Sequence, residues 1–208
     1  MNNRDYKKFL PENIFHIYNR GNNREKIFFD EQDYKAFLFR LGLCLGFTEK
    51  ELNEEKFISM PYSRIRITEI NKNNFKLYVF CLMPNHFHLL IEQTGDIPIS
   101  NLISKLCTSY AKYINKKYER VGHVFQDKFK AVFIENNSQL MWTSAYMHMN
   151  PVKDKIVKHP SKYLWSSYND YIGKRNLPII NKELLLSTFG DIKNFTEQTL
   201  IFDVKDGL

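Results

Sequence analysis

The chain has 208 residues, of which 43% are hydrophobic and 15% aromatic, so its composition excludes a disordered protein and fits one domain with a small appendage. The 30 Lys and Arg exceed the 23 Asp and Glu, and the net charge of +7 favours a polyanionic partner over an acidic small molecule. Three widely spaced cysteines argue against a disulfide framework, and no segment approaches the ~18 apolar residues of a membrane span, so we expect a cytoplasmic protein without membrane contact.

The first part of the chain predicts a strand followed by a helix. Residues 13–18 alternate apolar and polar side chains, which is typical of a strand, and a polar turn follows them. Asp30 precedes apolar residues at helical spacing, which predicts a helix over residues 31–46 with Asp30 as its N-cap. Residues 49–56 read as an acidic surface excursion, and residues 58–70 are ambiguous between loop and strand.

A hairpin follows in the middle of the chain. Residues 75–82 and residues 86–92 are strongly apolar runs, and Met83-Pro84-Asn85 between them has the composition of a turn. We therefore predict two adjacent antiparallel strands at the centre of a sheet.

Two further helices and a short strand are predicted next. Residues 99–120 have a helical period, and residues 131–134 predict a strand. Ser138 is the predicted cap of another helix, which should end at about residue 149 because Pro151 disfavours a helical conformation in the residue before it. Four lysines lie largely off the apolar stripe of the first of these helices, at Lys105, Lys112, Lys116 and Lys117.

The remainder of the chain has a helical pattern without a clear strand signal. Short helices are predicted around residues 165–172 and residues 181–189. We therefore expect a main domain over residues 1–159 and a helical extension, residues 160–208, packed on it.

The hairpin also contains two histidines, His86 and His88. Because side chains alternate along a strand, both imidazoles leave the same face, whereas Phe87 points the other way and can anchor the strand. This is metal-ligand geometry, although a His-x-His pair also occurs in strands that bind no metal.

A second pair of polar side chains lies in the later helix. Tyr146 and Asn150 are four positions apart, so one helix face presents a phenol and an amide oxygen together. Taken alone, this spacing favours the simpler interpretation, in which Tyr146 is a half-buried helix aromatic.

Five segments in the same order resemble the IS200-like transposases and, within them, the REP-associated tyrosine transposases. These segments are YNRGNN (18–23), YVFCLMPNHFHLL (78–90), GHVFQDKFK (122–130), YMHMNPV (146–152) and WSSY (165–168). The resemblance implies an α+β fold with a ferredoxin-like (RRM-like) antiparallel sheet, helices on one side and a C-terminal helical extension.

The resemblance also implies a chemistry for the candidate residues. His86 and His88 match the paired histidines that hold one divalent metal ion, Mg²⁺ or Mn²⁺, in these HUH nucleases. Tyr146 takes the place of the tyrosine that attacks a DNA phosphate and stays linked to its 5′ side. Asn150 occupies the third-ligand position, where many family members have glutamine.

The implied partner is single-stranded DNA that forms hairpins, bound by a monomer or a homodimer. Phosphate binding requires accessible Lys and Arg, although the same residues fit an ordinary solvated surface. The candidate DNA contacts are Arg20, Arg24, Lys105, Lys112, Lys116, Lys117, Lys128 and Lys130.

Two other functions compete with this one. An RRM-like sheet can bind single-stranded nucleic acid without cutting it. Alternatively, a metal-bound water could hydrolyse the phosphodiester while Tyr146 only packs.

Overall fold

An antiparallel sheet forms the centre of the fold. The computed structural model describes residues 11–59 and 72–202, and within them one four-stranded sheet has the order β2-β3-β1-β4. The strands are β1 (Ile14–Arg20), β2 (Phe75–Met83), β3 (His86–Gln93) and β4 (Lys130–Phe133). The bounds of all four predicted strands are confirmed to within about two residues. The prediction that both hairpin strands are central is wrong for β2, which lies at an edge of the sheet.

Helices connect and flank these strands. They are α1 (Glu31–Cys44), α2 (Glu49–Glu54), α3 (Ile99–Lys117), α4 (Asn137–Lys153), α5 (Tyr168–Tyr171), α6 (Glu183–Phe189) and α7 (Ile192–Ile201). The order β1-α1-β2-β3-α3-β4 with this strand arrangement is ferredoxin-like, so the predicted α+β class is confirmed. In the described part of the chain no helix is long and apolar enough to cross a membrane.

One face of the sheet packs against α1 and α3. The fully buried Phe87 ring of β3 lies 5.0 Å from Phe37 of α1, and Phe37 lies 5.1 Å from Tyr110 of α3. Burial of these rings removes a large apolar area from water, and this stabilises the fold. Of the three cysteines, all free, Cys44 and Cys81 are buried.

The ends of the helices agree only partly with expectation. Asp30 caps α1 as predicted, since its side chain accepts a hydrogen bond from the backbone N–H of Asp33. The cap of α4 is Asn136 rather than Ser138, and the prediction that this helix ends near residue 149 is wrong, because α4 continues through Pro151 to Lys153. Pro151 sits in the last turn, where only one internal hydrogen bond is lost, and burial of α4 compensates for it.

The C-terminal segment packs along the outer edge of β2. Backbone hydrogen bonds join Leu82 N–H to Trp165 O (2.8 Å) and Ser167 N–H to Phe80 O (3.0 Å). Trp165 also stacks on Tyr34 at 4.5 Å, which anchors the segment in the core. Short backbone pairing that the sequence did not predict therefore covers an edge that would otherwise be open.

Two sequence-based expectations are not tested by the fold. The division of the chain at residue 159 stays a prediction. Most of the stretch that is ambiguous between loop and strand, at residues 60–71, lies outside the described residues.

Candidate active site

The two histidines of β3 lie side by side on the sheet face opposite α1 and α3. Their ring centroids are 4.9 Å apart, and His88 is buried whereas His86 is half-buried. Burial, with a contribution from the Arg20 charge, lowers the pKa of His86 to about 4. The pKa of His88 is lowered well below its ordinary value, mainly by burial. The neighbouring His16, His86 and Arg20 lower it further. Both imidazoles are therefore neutral at pH 7, the form that binds a metal ion.

The hydrogen bonds of these rings leave one nitrogen of His88 unused. His88 Nδ1 lies 2.8 Å from His16 Nε2 of β1, whereas His88 Nε2 is buried without a hydrogen-bond partner. His86 Nδ1 lies 2.6 Å from Asn85 Oδ1. A buried nitrogen without a partner is uncommon, and a metal ion is one group that would satisfy it.

Tyr146 and Asn150 approach this face from α4. The Tyr146 ring centroid lies 6.0 Å from that of His88 and 6.3 Å from that of His16. Burial raises the pKa of Tyr146, and the nearby Asn150 amide partly opposes this rise. The phenol therefore needs assistance before it can act as a nucleophile at neutral pH.

Aromatic and cationic neighbours hold the Tyr146 ring. Trp142, one turn earlier on α4, stacks on it at 5.5 Å with an interplanar angle of 5°. Lys153 Nζ lies 5.6 Å from the Tyr146 ring centroid. The Phe202 ring packs edge-to-face with the Tyr146 ring, with their centroids 6.4 Å apart. The ring orientation is thus restricted by packing on several sides.

The chemistry of His86, His88 and Asn150 is compatible with a divalent metal ion. Two neutral imidazoles and the buried Asn150 amide have the chemistry of metal ligands. The described residues contain no cluster of three His, Cys, Asp or Glu that could hold a metal ion by themselves. Positions would remain open for water or for phosphate oxygens. Imidazole ligands favour Mn²⁺ or another transition metal, and Mg²⁺ accepts such a site when it keeps several waters.

Two of the predicted DNA contacts lie on the same face as the histidines. Arg20 pairs with His86 across β1 and β3, and Lys130 pairs with Tyr18 across β4 and β1. Both side chains are exposed. Positive charge therefore borders the candidate site and favours an anionic group there.

The loop residues Arg24 and Lys128 are also exposed. Arg24 has a positive φ of 61°, and its carbonyl oxygen accepts a hydrogen bond from Asn85 Nδ2 in the hairpin turn. This bond ties the turn after β1 to the end of the hairpin that carries His86.

The four lysines of α3 lie elsewhere. Their helix packs on the Phe87 face of the sheet, away from Tyr146. Lys117 Nζ forms salt bridges with Asp30 Oδ2 (2.7 Å) and Asp33 Oδ1 (2.8 Å). Their DNA-binding role stays a prediction, which applies to Lys105, Lys112, Lys116 and Lys117.

Two other buried histidines, His148 and His16, lie in different surroundings. His148 is a structural residue, buried with Nε2 2.9 Å from Ser167 Oγ, at the junction with the C-terminal segment. His16 has no sequence motif around it that suggests a role, yet it contacts His88 directly. No local pattern could reveal this contact, because the two histidines are 72 positions apart in sequence and meet only through the register of β1 against β3.

The chain matches proteins of one family. The model of the family "Transposase IS200 like" matches residues 47–150, half of the chain. A solved structure described as "Structure of the REP associates tyrosine transposase bound to a REP hairpin" superposes with a TM-score of 0.55 at 16% identity, covering 82% of this chain and 86% of the other. At such a low identity this similarity supports the shared fold alone. No curated protein matches the sequence. From the family match over half of its length, this chain belongs to the IS200-like transposases.

Proposed function

We propose that this protein cuts and rejoins single-stranded DNA through a covalent bond to Tyr146. Family membership supports a transposase, and the arrangement around Tyr146 supports this particular chemistry. The observation that carries the proposal is the approach of Tyr146 to the neutral imidazole of His88, with ring centroids 6.0 Å apart although the residues are 58 positions apart in sequence. A second histidine, His86, lies on the same face with its ring centroid 4.9 Å from that of His88, and the exposed Arg20 lies opposite His86 on β1, so several polar groups converge beside Tyr146.

His86, His88 and Asn150 would hold one divalent metal ion, Mg²⁺ or Mn²⁺, at this face. The ion would supply positive charge that stabilises the phosphate as charge develops on it. Arg20 and Lys130 would orient the DNA backbone beside these residues.

The covalent step exchanges one phosphate ester for another. The Tyr146 phenol gives up its proton, its Oη forms a bond to phosphorus, and the bond from phosphorus to the 3′ oxygen breaks. The released 3′ oxygen takes up a proton, and the 5′ phosphate remains on the tyrosine. Because the number of ester bonds is unchanged, a strand hydroxyl can reverse the step without ATP.

The proposed substrate is single-stranded DNA with a hairpin next to the cleavage position. The similar solved structure is of a tyrosine transposase bound to a REP hairpin, so a protein of the same fold has a hairpin as its partner. The proposal for this chain rests on the shared fold and on the exposed positive charge of Arg20, Arg24, Lys128 and Lys130.

A covalent-adduct assay tests the proposal. Labelled hairpin-bearing single strands are mixed with the protein and Mn²⁺ or Mg²⁺, and a denaturing gel should show a protein–DNA adduct that EDTA prevents. Tyr146→Phe should abolish the adduct, whereas Tyr118→Phe, on the other side of the sheet, should retain it.

The same assay separates the alternatives. Cleavage that persists in Tyr146→Phe would identify a hydrolase that uses water. If the unaltered protein binds the labelled strands but cleaves none of them, it is a nucleic-acid-binding module.

A further inference from the structure

His16 lies behind one of the two candidate metal ligands. It is on β1, next to β3, and its ring stacks on that of His88 with centroids 5.0 Å apart. His16 Nε2 and His88 Nδ1 are 2.8 Å apart, so the two atoms share one hydrogen. Only 9% of His16 is exposed, and solvent therefore competes little for this bond.

Two arrangements of the shared hydrogen are chemically possible. If His16 donates it, a neutral His88 must carry its own proton on Nε2, a buried atom without an acceptor. If His88 donates it from Nδ1, Nε2 has a free lone pair directed away from His16. Only the second arrangement allows His88 to bind a cation through Nε2.

His86 is held in the same way by a different residue. Asn85 Nδ2 donates to Arg24 O at 3.1 Å, so Asn85 Oδ1 is the atom that faces His86 Nδ1 at 2.6 Å. An amide oxygen only accepts, and His86 must therefore carry its proton on Nδ1 and leave Nε2 free. Each candidate ligand thus has its own partner at Nδ1.

We propose that His16 is a positioning residue, which accepts a hydrogen bond from His88 Nδ1 and so presents the His88 Nε2 lone pair to the metal ion. The proposal rests on the proposed function, because it assumes that His86 and His88 hold a metal. Partners of this kind fix the orientation and tautomer of a ligating imidazole, and their loss typically weakens metal binding by ~10- to 100-fold.

Metal affinity of His16 variants tests the proposal. Mn²⁺ binding is measured by calorimetry and by electron paramagnetic resonance, without DNA. In His16→Leu, which offers no acceptor, the Kd should rise about 10- to 100-fold. In His16→Gln, whose amide oxygen can reach the position of the imidazole Nε2, the Kd should stay within about threefold of the original. The matched control is His123→Gln, which changes an exposed histidine in the loop between α3 and β4 and should have no effect.

A direct measurement on the unaltered protein complements the variants. Long-range ¹H–¹⁵N correlation spectra at pH 7.5 report which nitrogen of each histidine carries the proton. We expect a proton on Nδ1 of His88 before any metal is added. A proton on Nε2 would overturn the proposal, and this result does not depend on whether His16→Leu folds.

The outcomes distinguish the two levels of inference. If the unaltered protein binds no Mn²⁺, the metal site of the proposed function is wrong. If it binds Mn²⁺ and the folded His16→Leu variant binds equally well, only the role of His16 is wrong. Equal weakening in His16→Leu and His16→Gln at unchanged melting temperature would also overturn that role.

Discussion

The two faces of β3 differ although the same short segment builds both. On one face, Phe87 is fully buried among the rings of α1 and α3. On the other, His88 is nearly as buried, yet its Nε2 has no hydrogen-bond partner. An unsatisfied buried polar atom destabilises a fold by about 1–3 kcal/mol, and apolar packing of the opposite face is what offsets it. Alternation along one strand thus places an apolar core on one face and the proposed active site on the other.

Burial and an unsatisfied nitrogen do not by themselves define a site. His148 is fully buried and its Nδ1 also lacks a partner, but its neighbours are Ser167 and the aromatic rings of Tyr168, Tyr171 and Phe195. His88 differs because a second histidine, a half-buried phenol and exposed positive charge converge on it. Convergence of groups from distant parts of the chain is therefore the stronger functional signal.

Substitution of adjacent residues on β3 gives the sharpest test of this division. His86→Ala should reduce the rate of DNA cleavage by about 10³-fold, or ~4 kcal/mol, because the proposed metal site loses a ligand, with little change in melting temperature. Phe87→Ala should instead lower the free energy of unfolding by about 3–5 kcal/mol, since it leaves a cavity between the sheet and α1. Urea denaturation and single-turnover cleavage measure the two effects. If His86→Ala destabilised the protein as much as Phe87→Ala, the division between the faces would fail.

The buried His148 should give a smaller effect, on how the free energy of unfolding depends on pH. Burial lowers the pKa of His148 to about 3, whereas an unfolded chain has a histidine pKa near ~6.5. Below pH 6.5 the unfolded chain therefore binds a proton that the folded protein does not, so the stability that neutral His148 contributes falls as the pH decreases toward 3. Between pH 7 and pH 5 this one group should reduce the free energy of unfolding by about 2 kcal/mol.

Urea titrations at pH 7 and pH 5 measure this change. In His148→Gln, which keeps a polar group near Ser167 without a titrating ring, the difference between the two pH values should shrink by about the same amount. Because His16, His86 and His88 are also held neutral by burial, part of the pH dependence should remain. An unchanged slope would show that His148 is protonated without unfolding.

The smallest effect separates basic residues on the two sides of the sheet. Arg20→Ala should weaken binding of single-stranded DNA by about tenfold, because a charge-assisted contact to phosphate is worth roughly 1.5 kcal/mol or more. Lys112→Ala, on the exposed side of α3, should change the Kd by less than about threefold. Fluorescence anisotropy at fixed salt measures both variants. An equal or larger loss in Lys112→Ala would place the DNA across α3 and support the sequence-based prediction for that helix.

Features that depend on short-range periodicity were predicted well. The period of two along β3 indicated that His86 and His88 share a face, and the helical period indicated that Tyr146 and Asn150 do. The cap and the end of α4 were predicted incorrectly, because burial of the helix offset the local preference of Pro151. Pairing of the C-terminal segment with β2 was missed, since it consists of isolated backbone bonds with no alternating pattern.

The sequence by itself determined which residues could carry chemistry and, through five ordered motifs, the family to which the chain belongs. Only the tertiary structure decided which of them meet. His16 lies beside His88 because β1 and β3 pair in one register, and the lysines of α3 are separated from Tyr146 because the sheet lies between them. Strand register and the choice of sheet face are set by the packing of the whole core, and no local stretch of sequence contains that information.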